Sequence, residues 1–561
     1  MSQMLKSSGA IGAATFLSRI LGMVREMVYA NFMGTEAVAG AFKMALMLPN
    51  LFRRLLGEGA LTAAFIPLFK EKEKKDGEVE MWKAANAVIS GLFMAGSVIV
   101  LLVMLGISVV LWNTTTLEGQ DGFSSGLVQT MPVLEGDTPL IQVKTPIWQQ
   151  IADGKLSGSA RLMLELARVM FPYMLLACLA AILMGMLNAR GHFFVPALGS
   201  CLLNVVLIAS VIFLTPFFGR RLEEKIFALA YGVLIAGVAQ AAYQLPTLLR
   251  EGFRPAWITP FNNPDVRRVV RQMIPGMLGV AAFQFNVLTT TSIAFYVDAT
   301  IVASYDYAVR LMELPQGLFA ISLATYLLPT LSGLATEKKY GEFNSTYKQA
   351  VGYLFFSNWL ASVLLVVLAM PMIRLLFQHG KFDHESTLAA SYALKCLGPG
   401  LLAFSVVNIT ARAFYALGDT STPMKISAFC LVLNVVFAVF TVPSFREGGM
   451  GLANTASAAV NVYLLIFGLK KKMSKLEFGD LRSTLWQMIG AGILAGLVAY
   501  GTSLFWENQV GGRTVFERIG AVFVPAGAAA LAYLGVLFWL RVPQANDVLQ
   551  LFKAKLQRRK H

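Results

Sequence analysis

Between Ser18 and Phe65 a strongly apolar stretch carries Arg19, Arg25, Glu26, Lys43, Arg53, Arg54 and Glu58. Its apolar content suits two membrane-spanning helices joined by a turn near Gly34-Thr35-Glu36. An arginine near the bilayer centre costs at least ~2.5–3.5 kcal/mol on insertion scales. Such residues persist when they face a wet cavity, pair with acids or snorkel to an interface. On one helix, Arg19 and Arg25 would stand roughly 9 Å apart along the axis and about 240° apart around it. They therefore occupy two depths rather than one narrow stripe. The chemistry such cations support is capture of an anion, because a guanidinium meets phosphate oxygens as a bidentate fork. Arg54 and Lys43 also have a plainer reading as topology anchors near helix ends.

The elements around this hairpin follow from composition. The chain has 561 residues, 56% hydrophobic and 14% charged. Soluble domains carry about 25% charged residues, so the expected class is an all-α polytopic membrane protein. The net charge of +15 sits largely in short loops and the tail, as the positive-inside rule expects, and does not suggest nucleic acid. Cys178, Cys201, Cys396 and Cys430 lie in apolar segments with no CxxC spacing. They read as buried thiols rather than a disulfide or metal site. The first apolar run contains arginines and lacks a clear cleavage site, so it reads as a retained helix.

Runs of ~20 apolar residues give about fourteen spans. The expected division is an N-lobe over 1–250 with six spans, a basic cytoplasmic linker over 251–271, a C-lobe over 272–473 with six more, two last spans in 474–541 and a basic cytoplasmic tail over 542–561. The charge run Lys70–Lys75 reads as cytoplasmic, and the net acidic loop 113–159 as external. Arg220-Arg221 breaks the charge rule on the outside, though Glu223 and Glu224 stand beside it.

Two motif pairs recur in the same order. Glu73-Lys-Lys-Asp-Gly-Glu78 matches Glu337-Lys-Lys-Tyr-Gly-Glu342, and Ala189-Arg-Gly191 with Pro196 and Asn204-Val-Val206 matches Ala416-Leu-Gly418 with Pro423 and Asn434-Val-Val436. A six-plus-six repeat follows. Six is even, so the copies insert in parallel, related by an axis along the membrane normal with the substrate between them. The eighth span, matching the second, carries Arg310 and Glu313 on one helical face. Lys395 and Arg412, and Glu165 with Arg168, are further intramembrane charges whose first reading is structural or interfacial.

Ser18-Arg-Ile-Leu-Gly22, Arg25-Glu26, Leu48-Pro-Asn-Leu-Phe-Arg-Arg54, Glu58-Gly-Ala60, Phe65-Ile-Pro67, Arg310-Leu-Met-Glu-Leu-Pro315 and Phe377-Gln-His-Gly-Lys-Phe382 together resemble the MurJ/MviN lipid II flippases of the MOP transporter superfamily. The resemblance spans all fourteen segments. It implies two six-helix lobes, a central cationic cavity open alternately to each side, and two extra helices forming a groove for the polyprenyl tail. By resemblance Arg19, Arg25, Arg53 and Arg310 are the substrate-binding residues, with Arg54, Asn50, Lys395 and Arg412 as secondary candidates. Two positions depart from the pattern: Gly40 and Val309 stand where the family often has acids. Glu26, Glu36, Glu58 or Glu313 are the acids left to supply counter-charge.

The expected function is a bacterial inner-membrane flippase that moves lipid II outward by alternating access. It is not an enzyme, and it needs no cofactor or metal. No GxxxxGK[ST] phosphate loop is present, so ATP is not the expected driver, and the coupling ion is undefined. The expected setting is a monomer among membrane lipids, with proteins of cell-wall synthesis as partners and both termini cytoplasmic. Three rivals remain. A flippase for another polyprenyl-pyrophosphate-linked oligosaccharide would use the same arginines. A cation-coupled multidrug exporter would want an acidic or aromatic cavity, and the excess of intramembrane arginines argues against it. An enzyme acting on lipid-linked sugars would want a cluster of carboxylates or a metal site, and the sequence offers neither.

Overall fold

The computed structural model describes the backbone of residues 2–57, 60–116, 147–473, 479–547 and 550, and the side chains of most of these from Leu17 onward. Glu58, most of the 113–159 loop and the tail cations Lys553, Lys555, Arg558, Arg559 and Lys560 lie outside the described residues. Helices account for nearly all of the rest. They run α1 (Ser2–Met33), α2 (Ala37–Phe52), α3 (Ala60–Lys75), α4 (Gly77–Asn113), α5 (Ile147–Ala152), α6 (Gly158–Met170), α7 (Tyr173–Ala189), α8 (Phe194–Ala209), α9 (Leu222–Ala242), α10 (Leu245–Arg250) and α11 (Pro264–Val297). Then come α12 (Ala299–Pro315), α13 (Ser322–Thr336), α14 (Tyr340–Val367), α15 (Ala369–Phe377), α16 (His384–Leu397), α17 (Gly400–Ala416), α18 (Ser421–Phe445), α19 (Glu447–Lys472), α20 (Gly479–Gln509) and α21 (Val515–Trp539). A two-residue parallel pairing of Thr115 with Lys155 and Thr116 with Leu156 draws the ends of the long loop together.

Among the described residues, nine helices are long and apolar enough to cross a membrane. Two further pairs, α6–α7 bent by 41° and α16–α17 bent by 44°, raise the number to eleven if each pair is one span. The fourteen spans expected from apolar runs are therefore not all met by length and apolarity. The three outside that count are α1, whose side chains are described only from Leu17, and α2–α3 and α12–α13. The described part of α1 carries Arg19, Arg25 and Glu26, and the other two are each interrupted by a π-helical turn, Arg53–Gly57 and Gln316–Ile321. A proline precedes each interruption, Pro49 and Pro315. Proline removes a backbone donor and its ring displaces the preceding turn, and π turns are one way a helix absorbs that change.

Contacts divide the chain into two compact units, Met1–Ala303 with Gly380–Phe382, and Ser304–His379 with Asp383–His561. By compactness α11 belongs with the first unit, where it packs on α3 and α4. Compact units and sequence repeats thus divide the chain at different places.

In the first unit, Phe65, Phe69, Met81, Trp82, Leu183 and Phe253 form an apolar centre. Trp82 stands edge-on to Phe69 at 5.4 Å and 5.5 Å from Phe253. One end of this unit is closed by ion pairs. Arg190, just past α7, reaches Glu73, Glu78 and Glu251, and Glu251 also meets His192 at 2.8 Å. Arg268 bonds Glu71 at 2.7 Å. Arg268, then Lys75, hold the Glu71 carboxyl down to about 2.

In the second unit Phe343, Tyr347, Phe414, Leu465 and Leu469 are fully buried, and Tyr347 and Thr410 share a 2.8 Å hydroxyl contact. Helix α20 packs on α14 and α21. Its Ala491, Ala495 and Ala499 recur every fourth residue against Ala529 and Tyr533. Small residues at that spacing let helix backbones approach closely.

Each unit contains the same local devices. Besides the π turns, Pro172 and Pro399 stand at the bends of α6–α7 and α16–α17. Gly191 and Gly418 take positive φ of 87° and 75° in the matched links, a backbone state glycine reaches without cost. Asn204 and Asn434, the matched asparagines, are both buried. Cys178, Cys201 and Cys430 are buried thiols and Cys396 is half-buried, none of them joined in a disulfide among the described residues.

Candidate functional site

The centre of the charged hairpin is a buried carboxylate. Glu26 on α1 is only 3% exposed. Its Oε1 accepts from Arg25 Nη2 at 2.5 Å, and its Oε2 lies 3.7 Å from Lys43 Nζ on α2. Arg25 is fixed from two more directions. Its Nη1 donates to Asn204 Oδ1 on α8 at 3.0 Å, and its guanidinium carbon sits 5.7 Å from the Tyr29 ring centroid, within cation–π range. Asn204 is itself oriented by donating to the Ser18 and Ser200 carbonyls. The amide oxygen therefore faces Arg25 because its nitrogen is engaged elsewhere. One carboxylate facing two cations gives a rigid, cation-rich cluster that α1, α2 and α8 build together.

Arg53 and Arg54 begin the π turn after α2. The Arg53 backbone N–H is shared between the Pro49 and Asn50 carbonyls, which marks the shift out of α-helical register. Arg53 Nε donates to Asn50 Oδ1 at 3.1 Å, and Arg54 Nη1 to Gln284 Oε1 on α11 at 3.4 Å. Arg54 is exposed and Arg53 half-buried.

On the second unit Arg310 is held by acids on both sides along α12. Glu313 lies at 3.1 Å and Asp306 at 3.6 Å. One turn before Arg310, Tyr305 accepts from Asn454 Nδ2 at 3.0 Å, and Asn454 accepts from Asn434 at 3.4 Å.

The structure thus brings Arg25 and Glu26 together, sets Asn50 on Arg53, and sets Glu313 on Arg310. Arg19 is exposed on α1, Lys395 is exposed on α16, and Arg412 is half-buried on α17. Glu58 lies outside the described residues. Glu36 meets Lys381 at 3.1 Å. Lys43, Asn204 and Asp306 belong to these clusters although sequence reasoning did not select them. Asp306 could have been found, since it stands four residues before Arg310, the spacing at which helical side chains meet. Asn204 was visible as part of the duplicated Asn-Val-Val motif, but nothing local ties it to Arg25, 179 residues away.

Gly40 has a steric reason. A Cβ there would overlap the Ala299 carbonyl, so no acidic side chain fits at that point of α2.

The family model described as lipid II flippase MurJ matches residues 29–131 and 139–519. The chain belongs to the MurJ lipid II flippase family. Arg53, Arg54 and Arg310 fall within the matched stretches, and Arg19 and Arg25 precede them. A probable lipid II flippase MurJ of Haemophilus influenzae is 32% identical over 467 residues, covering 82% of this chain and 84% of its own. The lipid II flippase MurJ of Burkholderia cenocepacia is 30% identical over 535 residues, 94% and 96% of the two chains. Among solved structures, a lipid II flippase MurJ in an inward closed conformation superposes with TM-score 0.73 at 22% identity, covering 95% of this chain and 98% of that one. An inward-facing multidrug resistance MATE transporter of the MOP superfamily superposes at 0.58 with 15% identity, over 82% and 96%. These two likenesses concern the fold. The family is one of transporters rather than catalytic enzymes, and its name makes lipid II the substrate and peptidoglycan assembly the setting.

Proposed function

We propose that this chain carries lipid II from the inner to the outer leaflet of the bacterial cytoplasmic membrane by alternating access. Arg25 and Arg53 serve as pyrophosphate-binding groups of the first unit, Arg310 as one of the second, and Arg19 as a more exposed cation on the path. The observation that carries this reading is the buried Arg25–Glu26–Lys43 cluster with its Asn204 brace. A preorganised guanidinium binds pyrophosphate without first being ordered. Glu26 keeps two cations tolerable in an apolar span between substrates, and the pyrophosphate would take over part of that role on binding. If two negative charges moved outward uncompensated across about 100 mV, inside negative, the field would contribute ~4–5 kcal/mol, so no nucleotide hydrolysis is required by the energetics. The test is depletion of the native protein with complementation by arginine variants. The lipid-linked precursor accumulating on the inner leaflet is identified at the same time. Accumulation of a different lipid-linked oligosaccharide, with lipid II unchanged, would overturn the reading.

A further inference from the structure

The end of α1, the irregular stretch after α8 and the first turn of α9 enclose a cavity of about 550 Å³ within the first unit. Three cations line it: Arg220, Lys225 and Lys381. The rest of its wall is mainly apolar, with Val28, Phe32, Val211 and Ile212. Lys381 is matched by Glu36 at 3.1 Å. Among the described residues the side chains of Arg220 and Lys225 have no hydrogen-bond or ion-pair partner.

The nearby acids do not supply one. Glu224 Oε2 instead accepts from the backbone N–H groups of Arg220 at 2.9 Å and Arg221 at 3.3 Å, closing the start of α9. Glu223 and Glu224 both line a different cavity, with Arg161, Glu165 and Tyr231. Of the acids beside Arg220, Glu224 is therefore engaged by backbone N–H groups, and Glu223 lines the other cavity. By charge distribution this end of the spans is the external one, where extra Lys and Arg have no topological role. Beside the cavity the surface continues as bare apolar side chains: Ile212 is 56% exposed, Phe213 68% and Phe217 82%.

We propose that this pocket is a second anion site, separate from the Arg25 cluster, and that it binds the phosphate of a negatively charged membrane lipid. The guanidinium of Arg220 and the ammonium of Lys225 meet phosphate oxygens, the geometry that arginine and lysine supply for phosphoryl groups. The lipid chain lies over Ile212 and Phe213. A pocket of this size suits a headgroup, and its apolar wall and lipid-facing mouth favour a phosphate on a hydrocarbon chain over a free ion. The site does not depend on lipid II being the transported substrate.

The purified full-length chain in neutral detergent provides the test. Dioctanoyl phosphatidylglycerol, dioctanoyl phosphatidylcholine and inorganic phosphate are titrated, with binding read by native mass spectrometry and melting temperature recorded without ligand as a folding control. The anionic lipid should bind more tightly than the zwitterionic lipid or phosphate. Arg220→Gln and Lys225→Gln should each weaken it about tenfold, the size expected for one charge-assisted contact. Lys225→Arg should retain it. Arg221→Gln removes the same charge one residue away, outside the pocket lining, and should change little. Phosphate binding as tightly as the anionic lipid, with the same sensitivity to the variants, would overturn the lipid assignment in favour of a free anion. Unchanged lipid binding in the Arg220 and Lys225 variants, or an equal loss in Arg221→Gln, would overturn the site itself. Arg220 is exposed, so its variant tests the site without disturbing a packed core.

Discussion

Lys43 on α2 lies 3.7 Å from the Glu26 carboxylate on α1, so the two helices of the charged hairpin are tied through a buried acid that Arg25 also holds. Glu26 therefore has a structural load as well as an electrostatic one. Glu26→Gln should leave two cations facing a neutral amide. Breaking a buried pair by removing one partner costs roughly 3–5 kcal/mol, so the variant should melt far below the parent in detergent. Glu26→Gln with Lys43→Gln should recover part of that loss. Equal melting of parent and single variant would show that the carboxylate carries none of the fold.

The arginines separate charge from shape. Arg25→Lys, Arg53→Lys and Arg310→Lys keep the charge and lose the planar fork. Each should weaken lipid II binding by roughly 1.5–3 kcal/mol, with alanine worse than lysine at every position. Arg54→Ala should be mild, because Arg54 is exposed and stands where a topology anchor would. Binding, membrane level and growth complementation are measured together. If all three alanine variants express, bind lipid II normally and support growth, the anion-binding role is wrong.

Gly40 should not tolerate a side chain. Gly40→Ala places a methyl on the Ala299 carbonyl, and overpacking of this kind costs typically about 1–3 kcal/mol. Gly106→Ala, in the open on α4, should be neutral or slightly stabilising. Melting temperatures of the two variants side by side decide the matter; a stable Gly40→Ala would show that α2 can move away from the start of α12.

The ion pairs at the Lys70–Lys75 end give a pH dependence of definite sign. Arg268 and Lys75 hold Glu71 near 2, below its ordinary value of 4.5. A depressed carboxylate contributes stability above its unfolded pKa, and that contribution fades as pH falls through the folded pKa. Arg268→Gln should therefore be less stable than the parent by a constant gap above pH about 5. The gap should close between about 4.5 and 2. Thermal melts across that range check it; a gap that widened on acidification would reverse the assignment.

Much of this protein is legible in one dimension. A composition of 14% charged residues dictates a membrane-spanning helical chain, because lipid offers backbone groups no other partners. The places where charge interrupts apolar runs marked α1, α2–α3 and α12–α13, and the last two are the spans that π turns interrupt in the folded chain. Arg310 with Glu313 was readable from helical spacing alone, since a neighbour three residues on lies on the same face by geometry. The duplicated motifs set glycines at matched positions 191 and 418, and both take positive φ in the folded chain.

Other facts exist only after folding. That Arg25 is braced by Asn204 depends on α8 returning to α1, a contact between residues 179 apart that no local rule encodes. That Lys43 faces the Glu26 carboxylate, rather than only anchoring a helix end, is decided by the rotation of α2 on α1. That Gly40 cannot be an acid is decided by the Ala299 backbone pressed against it. Helical periodicity specifies which side chains share a face. Which faces meet is set by the packing of the whole unit, where backbone approach and buried charge are settled together.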